Sequence, residues 1–382
     1  MALSVEIKKP DQLSGAEEAL WADFRGANPA LYSPYFHLGY TQLLGKLRND
    51  AHVLIVSRDG VSRAFLPFQA SFNSNGKVGF ARPIGAPMTD YHGFICAPDT
   101  EFDVLEAFKL AGFGAFHFAA IVEQKGLLDR YAKNQSACTM ADLTAGASAW
   151  RDARDSSYRR HLKSHRRRVR KAEELGERRF EFKSDDQDVF DQLINWKKQK
   201  FVETGKYDVL SADWTMSLLD ALWTQTPTDG LCAEMHAMYF GDQLAAVDFG
   251  LTDGNTFHSW MVGYNNDFQH LSPGIQLLEA LIDQAEVFGY ARIDLGEGID
   301  GYKRHYASEP IQVSSGFIAA TGPAAALSKI YGAAETFGEK KLGGLGRLPG
   351  KARRRYAQIR ACEPRFGGRA KAMFEAVANL GK

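Results

Sequence analysis

No stretch of this 382-residue chain is both long enough and apolar enough to cross a bilayer. The most apolar run, Leu110 to Val122, is about 13 residues long and contains His117, whereas a spanning helix needs roughly 20. The opening residues, Met-Ala-Leu-Ser-Val-Glu-Ile-Lys-Lys, lack the apolar segment of a secretion signal. A cytoplasmic protein is therefore expected. Cysteine is scarce: Cys96, Cys138, Cys232 and Cys362 lie far apart, and no pair has metal-ligand spacing. Reduced thiols and no metal site are the expectation. There is no Gly-x-Ser-x-Gly elbow and no His-Glu-x-x-His, so serine hydrolase and zinc protease chemistry fit poorly. Net charge is absent as well, with 46 Lys plus Arg against 46 Asp plus Glu.

The charge is nevertheless unevenly placed. Between Arg159 and Lys171 stand eight cations in 13 positions: Arg159, Arg160, Lys163, Arg166, Arg167, Arg168, Arg170 and Lys171. Read as a helix, they are expected not to share one face. Such a helix is either solvated or attracts a phosphorylated partner: a nucleotide sugar, a lipid-linked pyrophosphate or tRNA. From Lys340 to Lys371, eleven cations face one acid, Glu363. Within that tail Arg353, Arg354, Arg355 and Arg360 offer guanidinium forks and flat stacking faces. Three readings compete there: a solvated helix, an anionic membrane surface met peripherally, and a cyclic dinucleotide such as cyclic di-GMP.

Hydrophobicity of 45% marks a folding sequence, and the length suits two or three domains. The first half opens with helical segments at 16–24 and 36–47, then strands at 51–57 and 61–69 joined by Asp59-Gly60. Asn75-Gly76 signals another turn, and helix-like apolar segments run on to about Ala120. The second half reads more regularly. A charged helix covers 150–177, and helices at 187–203 and 212–224 precede three strands at 232–240, 243–252 and 255–264. A helix at 273–288, a buried strand at 291–295 and a last strand at 311–319 follow. Three strands joined by tight turns form an antiparallel meander, whereas the helix before 291–295 permits a parallel crossover. A parallel pair in an otherwise antiparallel sheet can leave a splayed gap. The first half shows a shorter version of the same order, which suggests a diverged duplication. Trp196, Trp214, Trp223 and Trp260, with His236 and His258, read as packing residues.

Two segments could carry chemistry. In Gln269-His270-Leu271-Ser272-Pro273-Gly274-Ile275-Gln276, Ser272 is placed to cap a helix that Pro273 begins. Gly274 allows a ligand to approach the backbone, and the helix N-terminus can hold a pyrophosphate. In Arg292-Ile293-Asp294-Leu295-Gly296-Glu297-Gly298-Ile299-Asp300-Gly301-Tyr302-Lys303, a buried strand becomes a loop of glycines, carboxylates, Tyr and Lys. Loops at strand ends are where binding and catalytic groups collect. The plain alternatives are a capped helix and a polar turn.

Leu-Ser-Pro-Gly before a helix, Asp-Leu-Gly-Glu-Gly…Tyr-Lys after a strand, and the basic helix Tyr-Arg-Arg-His-Leu-Lys-Ser-His-Arg-Arg-Arg-Val-Arg-Lys resemble the FemAB-related branch of the GNAT superfamily. The resemblance runs from about Asp142 to Ala319. In bacteria that branch includes acetyltransferases of exopolysaccharide, cellulose and holdfast synthesis. The resemblance implies an α+β fold of two tandem GNAT-like domains, each a mixed, mostly antiparallel sheet flanked by helices. Their bounds would be 1–145 and a catalytic domain 146–322, with a basic helical tail at 323–382. It implies acetyl-CoA as co-substrate, bound by Gln269, Ser272, Gly274, Ile275 and Gln276. An amino sugar of a polysaccharide or its precursor would be the acceptor. The family's pyrophosphate loop is richer in glycine, and Gln269 and Gly274 are the nearest equivalents here. FemAB relatives use aminoacyl-tRNA, so aminoacyl transfer is the alternative, and a non-catalytic nucleotide-binding scaffold is another. Direct transfer to an amine needs positioning, a base and oxyanion stabilisation. Asp248 or Glu297 would be the base, Lys303 would neutralise a phosphate or the oxyanion, and Tyr302 would protonate the leaving thiolate.

Overall fold

The computed structural model describes residues 2–122, 124, 126–224, 230–308, 310–341, 348–363 and 366–378. Of residues 339, 340, 348–351, 353, 354, 366 and 375–378 it describes the backbone alone. The chain forms two compact units, each discontinuous in sequence. One comprises Met1–Ser136, Gly205–Leu218 and Gln312–Lys382, and the other Ala137–Thr204 and Leu219–Ile311.

The first unit begins with β1 (Leu3–Lys8), α1 (Gly15–Ala27), α2 (Leu38–Leu47), β2 (Ala51–Arg58) and β3 (Val61–Gln69). Asp59 and Gly60 both take positive φ, as the expected two-residue hairpin turn requires. There follow β4 (Val78–Pro83), β5 (Ile95–Cys96), α3 (Val104–Leu110), β6 (Phe113–Val122) and β7 (Ala132–Asp142), whose residues are divided between the units. Strands β1 to β4 pair antiparallel in order, and β6 pairs parallel with β4. The expectation of helix-like segments running to about Ala120 is corrected here: beyond α3 the apolar run is a strand. Gly112 at positive φ breaks it from α3, and Phe116 and Phe118 then bury alternate positions in an aromatic core with Phe68 and Phe108.

In the second unit come α4 (Ala147–Asp152), α5 (Ser156–Glu173), β8 (Arg178–Glu181), α6 (Gln187–Glu203) and α7 (Asp213–Thr224), the last again divided between units. Next are β9 (Cys232–Phe240), β10 (Gln243–Thr252), β11 (Thr256–Tyr264), α8 (Pro273–Phe288) and β12 (Arg292–Glu297). β8 to β11 form an antiparallel series, and β12 lies parallel to β11 and antiparallel to β7. Gly289 in the left-handed region stops α8, with the Tyr290 N–H donating to Ala285 O at 2.8 Å. The chain then returns to the first unit with β13 (Ile311–Ala319), antiparallel to β6, and with α9 (Gly322–Lys341), α10 (Leu348–Cys362) and α11 (Phe366–Ala378).

Both units thus repeat one order: three antiparallel strands, a helix, then a strand parallel to the third. They are two GNAT-like units in tandem. The expected bounds are redrawn, because the 323–382 tail does not stand apart. Trp214 Nε1 donates to Ala361 O at 3.1 Å, and the Arg48 guanidinium lies 4.6 Å from the centre of the Trp214 ring. These contacts fasten α10 to the first unit. Among the described residues, no helix is long and apolar enough to cross a membrane.

Gly250 tests the packing of the second sheet. A Cβ there would lie 2.3 and 2.4 Å from the buried Phe257 ring and 2.6 Å from His258 O. Gly250→Ala is expected to destabilise the protein by about 1–3 kcal/mol, as overpacking does. Denaturant unfolding would register this as a lower midpoint at unchanged slope.

Candidate functional site

The cleft of the second unit begins where two strands part. β11 and β12 pair at Thr256↔Arg292, Phe257↔Ile293 and His258↔Asp294, and the ladder stops there. β11 continues to Tyr264 and β12 to Glu297. A bulge sits at the same place: Gly250 pairs with Ser259 and Phe249 with Met261, so that Trp260 is the extra residue of β11. Bulges bend a strand and re-aim its side chains. Behind the fork His258 and Asp294 are fully buried, with Nδ1 3.6 Å from Oδ2, and Asp294 Oδ1 accepts the Gly296 N–H at 2.7 Å.

The gap forms a cavity of about 430 Å³. Asp248, Ser259, Tyr264 and Tyr302 supply its polar lining, and Val262, Leu278 and Leu295 an apolar part. Gln269, Ser272, Pro273, Gly274 and Ile275 close it at the start of α8. Asp248 is only 3% exposed. Ser259 Oγ lies 2.9 and 2.8 Å from its two carboxylate oxygens. Burial pushes the Asp248 carboxyl up to about 7, opposed by the Ser259 hydroxyl first and then by the charges of His258 and Lys197. Burial pushes the Tyr302 phenol up to about 12, and the neighbouring Asp248 charge acts in the same sense. Tyr302 therefore keeps its proton at neutral pH.

The start of α8 differs from a side-chain cap. Ser272 occupies the capping position but in the left-handed conformation, φ 54° and ψ 58°, and its side chain makes no capping bond. This corrects the expected role of its hydroxyl. The Ile275 and Gln276 N–H groups instead donate to Ser272 O at 3.1 and 3.2 Å. Gly274 N–H, at the second helical position, has no acceptor within the helix. A Cβ on Gly274 would approach Val262 Cγ1 to 3.3 Å, so the missing side chain keeps the cleft open beside that amide. These features fit a pyrophosphate-bearing thioester donor such as acyl-CoA. Among the described residues, no group of three or more His, Cys, Asp or Glu could hold a metal.

Six of the residues singled out from sequence meet in this one cleft: Asp248, Tyr302, Gln269, Ser272, Gly274 and Ile275. Three others have different surroundings. Gln276 is buried, donating to Leu271 O at 3.1 Å and accepting from Arg178 at 3.3 Å. Lys303 Nζ donates to Leu295 O at 2.7 Å and Glu297 O at 2.9 Å, clasping the end of β12. The Glu297 side chain is exposed and does not line the cavity. Ser259 and Tyr264 were missed. Both follow from hairpin pairing: Ala246, Asp248 and Gly250 share a face of β10, opposite Tyr264, Val262 and Ser259.

The two basic segments also take definite form. Seven of the eight α5 cations are exposed and Arg168 is half-buried. At 3.6 residues per turn those seven fall within an arc of about 140°. They do share one face, correcting the expectation, because Tyr158, His165 and Ala172 are buried on the other side. In the tail, Arg355 donates to Gly205 O, and Arg360 lines a separate cavity of the first unit. The side chains of Arg353 and Arg354 lie outside the described residues.

Residues 159–304 match the family described as acetyltransferase (GNAT) domain. No curated protein matches the chain. Among solved structures, FemX aligns with a TM-score of 0.50 at 11% identity, covering 82% of this chain and 96% of that one. A tandem GNAT protein from the clavulanic acid biosynthesis pathway aligns at 0.48 and 10% identity, covering 84% and 100%. The C-terminal domain of a putative lysylphosphatidylglycerol synthetase from Agrobacterium fabrum gives 0.45 and 15%, covering 83% and 96%. At these identities the FemX likeness is one of fold. Residues 159–304, somewhat over a third of the chain, are thus similar to a GNAT acetyltransferase domain.

The Ser259 contact has a measurable consequence. Its hydroxyl favours the charged Asp248, so Ser259→Ala is expected to raise that carboxyl above about 7. A carboxyl-region NMR titration of wild type and variant would show this. A downward shift, or none, would disconnect the two residues.

Proposed function

We propose that the protein transfers an acetyl group from acetyl-CoA to the primary amine of an amino sugar, in an exopolysaccharide or its precursor. One observation carries the reading: a carboxylate buried in a cleft bounded by the open N-terminus of a long helix, its pKa pushed up to about 7 by that burial. A base poised near the working pH accepts a proton efficiently and is still about half ionised. Asp248 takes a proton from the bound ammonium. The free amine attacks the thioester carbonyl, the C–S bond breaks, the thiolate leaves with a proton from Tyr302, and the second proton shed by the new amide nitrogen restores the Tyr302 phenol. The β11 backbone beyond His258, unpaired with β12, offers polar groups to an extended amide-bearing arm. The donor's pyrophosphate lies against the Gly274 amide, where the helix dipole favours negative charge.

The second reading is aminoacyl transfer from charged tRNA, favoured by the cationic face of α5. A nucleic-acid donor would bind with a strong inverse dependence on salt. Offering the protein acetyl-CoA with glucosamine, and separately charged tRNA, would decide between the donors.

Two substitutions test the proposed site. Asp248→Asn is expected to slow acetyl transfer about 10²–10⁴-fold. The wild-type rate should rise with pH through about 7 as Asp248 ionises, and that limb should vanish in the variant. A rate within tenfold of wild type would remove Asp248 as the base. Gly274→Val should weaken acetyl-CoA binding about tenfold or more, since a charge-assisted bond is worth roughly 1.5–3 kcal/mol. Calorimetric titration of the folded variant measures this, and unchanged affinity would move the donor elsewhere.

A further inference from the structure

The first unit holds a larger cavity, of about 950 Å³, formed by its own residues. On the sheet, Phe80 and Arg82 of β4 and His117 of β6 line it. His117 alternates along β6 with Phe116 and Phe118, which face the core that contains Phe108 of α3. The cavity therefore lies on the opposite face. Residues of α9, α10 and α11 complete it, and His117 Nε2 lies 2.9 Å from Ser328 Oγ of α9. The volume falls within the range of sites for small molecules.

Its lining has two characters. Phe80, Trp214, Leu327, Tyr331, Ala357 and Met373 make it chiefly apolar and aromatic. Against these stand, among the described residues, four arginines, Arg48, Arg82, Arg360 and Arg369, and one acid, Asp50. Asp50 is already fully engaged. Its Oδ1 accepts from Arg48 Nε at 2.9 Å and Gln69 at 2.8 Å, and its Oδ2 from Arg48 at 3.1 Å and Arg82 at 3.3 Å. Arg82 Nε is buried and, among the described residues, has no hydrogen-bond partner. Arg360 is exposed and makes no ion pair among those of the described residues. A buried guanidinium donor without an acceptor is costly, and an anion reaching it would remove that cost.

We infer that this cavity binds an amphipathic anion: a molecule with an apolar body and one carboxylate or phosphate, the head meeting Arg82 and Arg360. The apolar wall shelters the body from water, and the guanidinium forks match the flat oxygens of the head. A purely polar anion would leave the apolar wall wet, and an uncharged apolar ligand would leave Arg82 Nε unsatisfied. The inference is independent of the chemistry assigned to the other unit.

Decanoate and decyl phosphate are suitable probes, titrated calorimetrically into the full-length protein. Decyltrimethylammonium and inorganic phosphate serve as comparisons. Both decyl anions should bind, the cation should not, and inorganic phosphate should bind at least tenfold more weakly. The stronger of the two anions identifies the head as carboxylate or phosphate. Arg82→Gln should weaken both anions at least tenfold. Because that change also disturbs Asp50, Ala352→Trp provides a second variant: Ala352 is an exposed α10 residue lining the cavity. An indole there fills the space without altering charge and should abolish binding. The inference is overturned if wild type binds neither anion at millimolar concentration, or binds the cation equally well. Unchanged anion affinity in folded Ala352→Trp also overturns it.

Discussion

The second unit depends on the point at which one ladder stops. β11 and β12 can pair only while their twist keeps them adjacent, and pairing ends at His258↔Asp294. A bulge at Trp260 adds a bend to β11 at that level. The opening then needs walls, and α8 supplies one because the crossover between parallel strands must pass over the sheet face. Ser259 lies just beyond the last paired residue and Asp248 beside it on β10, so both reach the gap. The buried carboxylate, the helix terminus and Tyr302 are together because the fork brings them together.

The first unit has the same order of elements and a different end. There β6 runs parallel to β4, but α3 has seven residues where α8 has 16. The Asp103 carboxylate caps α3, accepting from Leu105 and Glu106 N–H at 2.9 and 3.3 Å. Those amides already have an anion of their own, so a pyrophosphate would compete with a fixed carboxylate. The α8 cap is the reverse case. Ser272 turns into the left-handed region and its side chain leaves the helix end uncapped, which keeps Gly274 N–H available. A single difference in capping separates a helix that closes its own terminus from one that can receive a ligand.

Much of this was legible in the sequence because it is written in local rules. Asp59-Gly60 marks its hairpin, Pro273 the start of α8, and Asp248 is one of the two carboxylates offered as a base. The bulge was not legible, since nothing in Ser259-Trp260-Met261 distinguishes an extra residue from a regular strand. Gln276 and Ile275 are adjacent in the motif, but 100° of helical rotation turns one inward and leaves the other on the cleft. The assignment of the tail to the first unit rests on Arg48, Trp214 and Ala361, contacts between residues far apart in sequence. Strand β6 was obscured because a run of phenylalanines and alanines fits a buried helix and a buried strand equally until Gly112 and Gly114 are weighed.

The cost of the site is also readable from the same atoms. Burial pushes the Asp248 carboxyl from the ordinary aspartate value of about 4 up to about 7. Between those pH values the native state holds a proton that the unfolded chain has released. Stability attributable to this group therefore declines as pH rises from about 4 to about 7, and the deficit is then complete at roughly 4 kcal/mol. That is a large part of a typical folding free energy. The Ser259 hydroxyl reduces the penalty without removing it, since it stabilises the carboxylate while the surrounding Val262, Leu278 and Leu295 exclude water. A surface carboxylate would cost nothing and, at its ordinary pKa, would be a weak acceptor for an ammonium proton. The cleft is held open against the preference of its own carboxylate for water, and that opposition gives Asp248 its basicity.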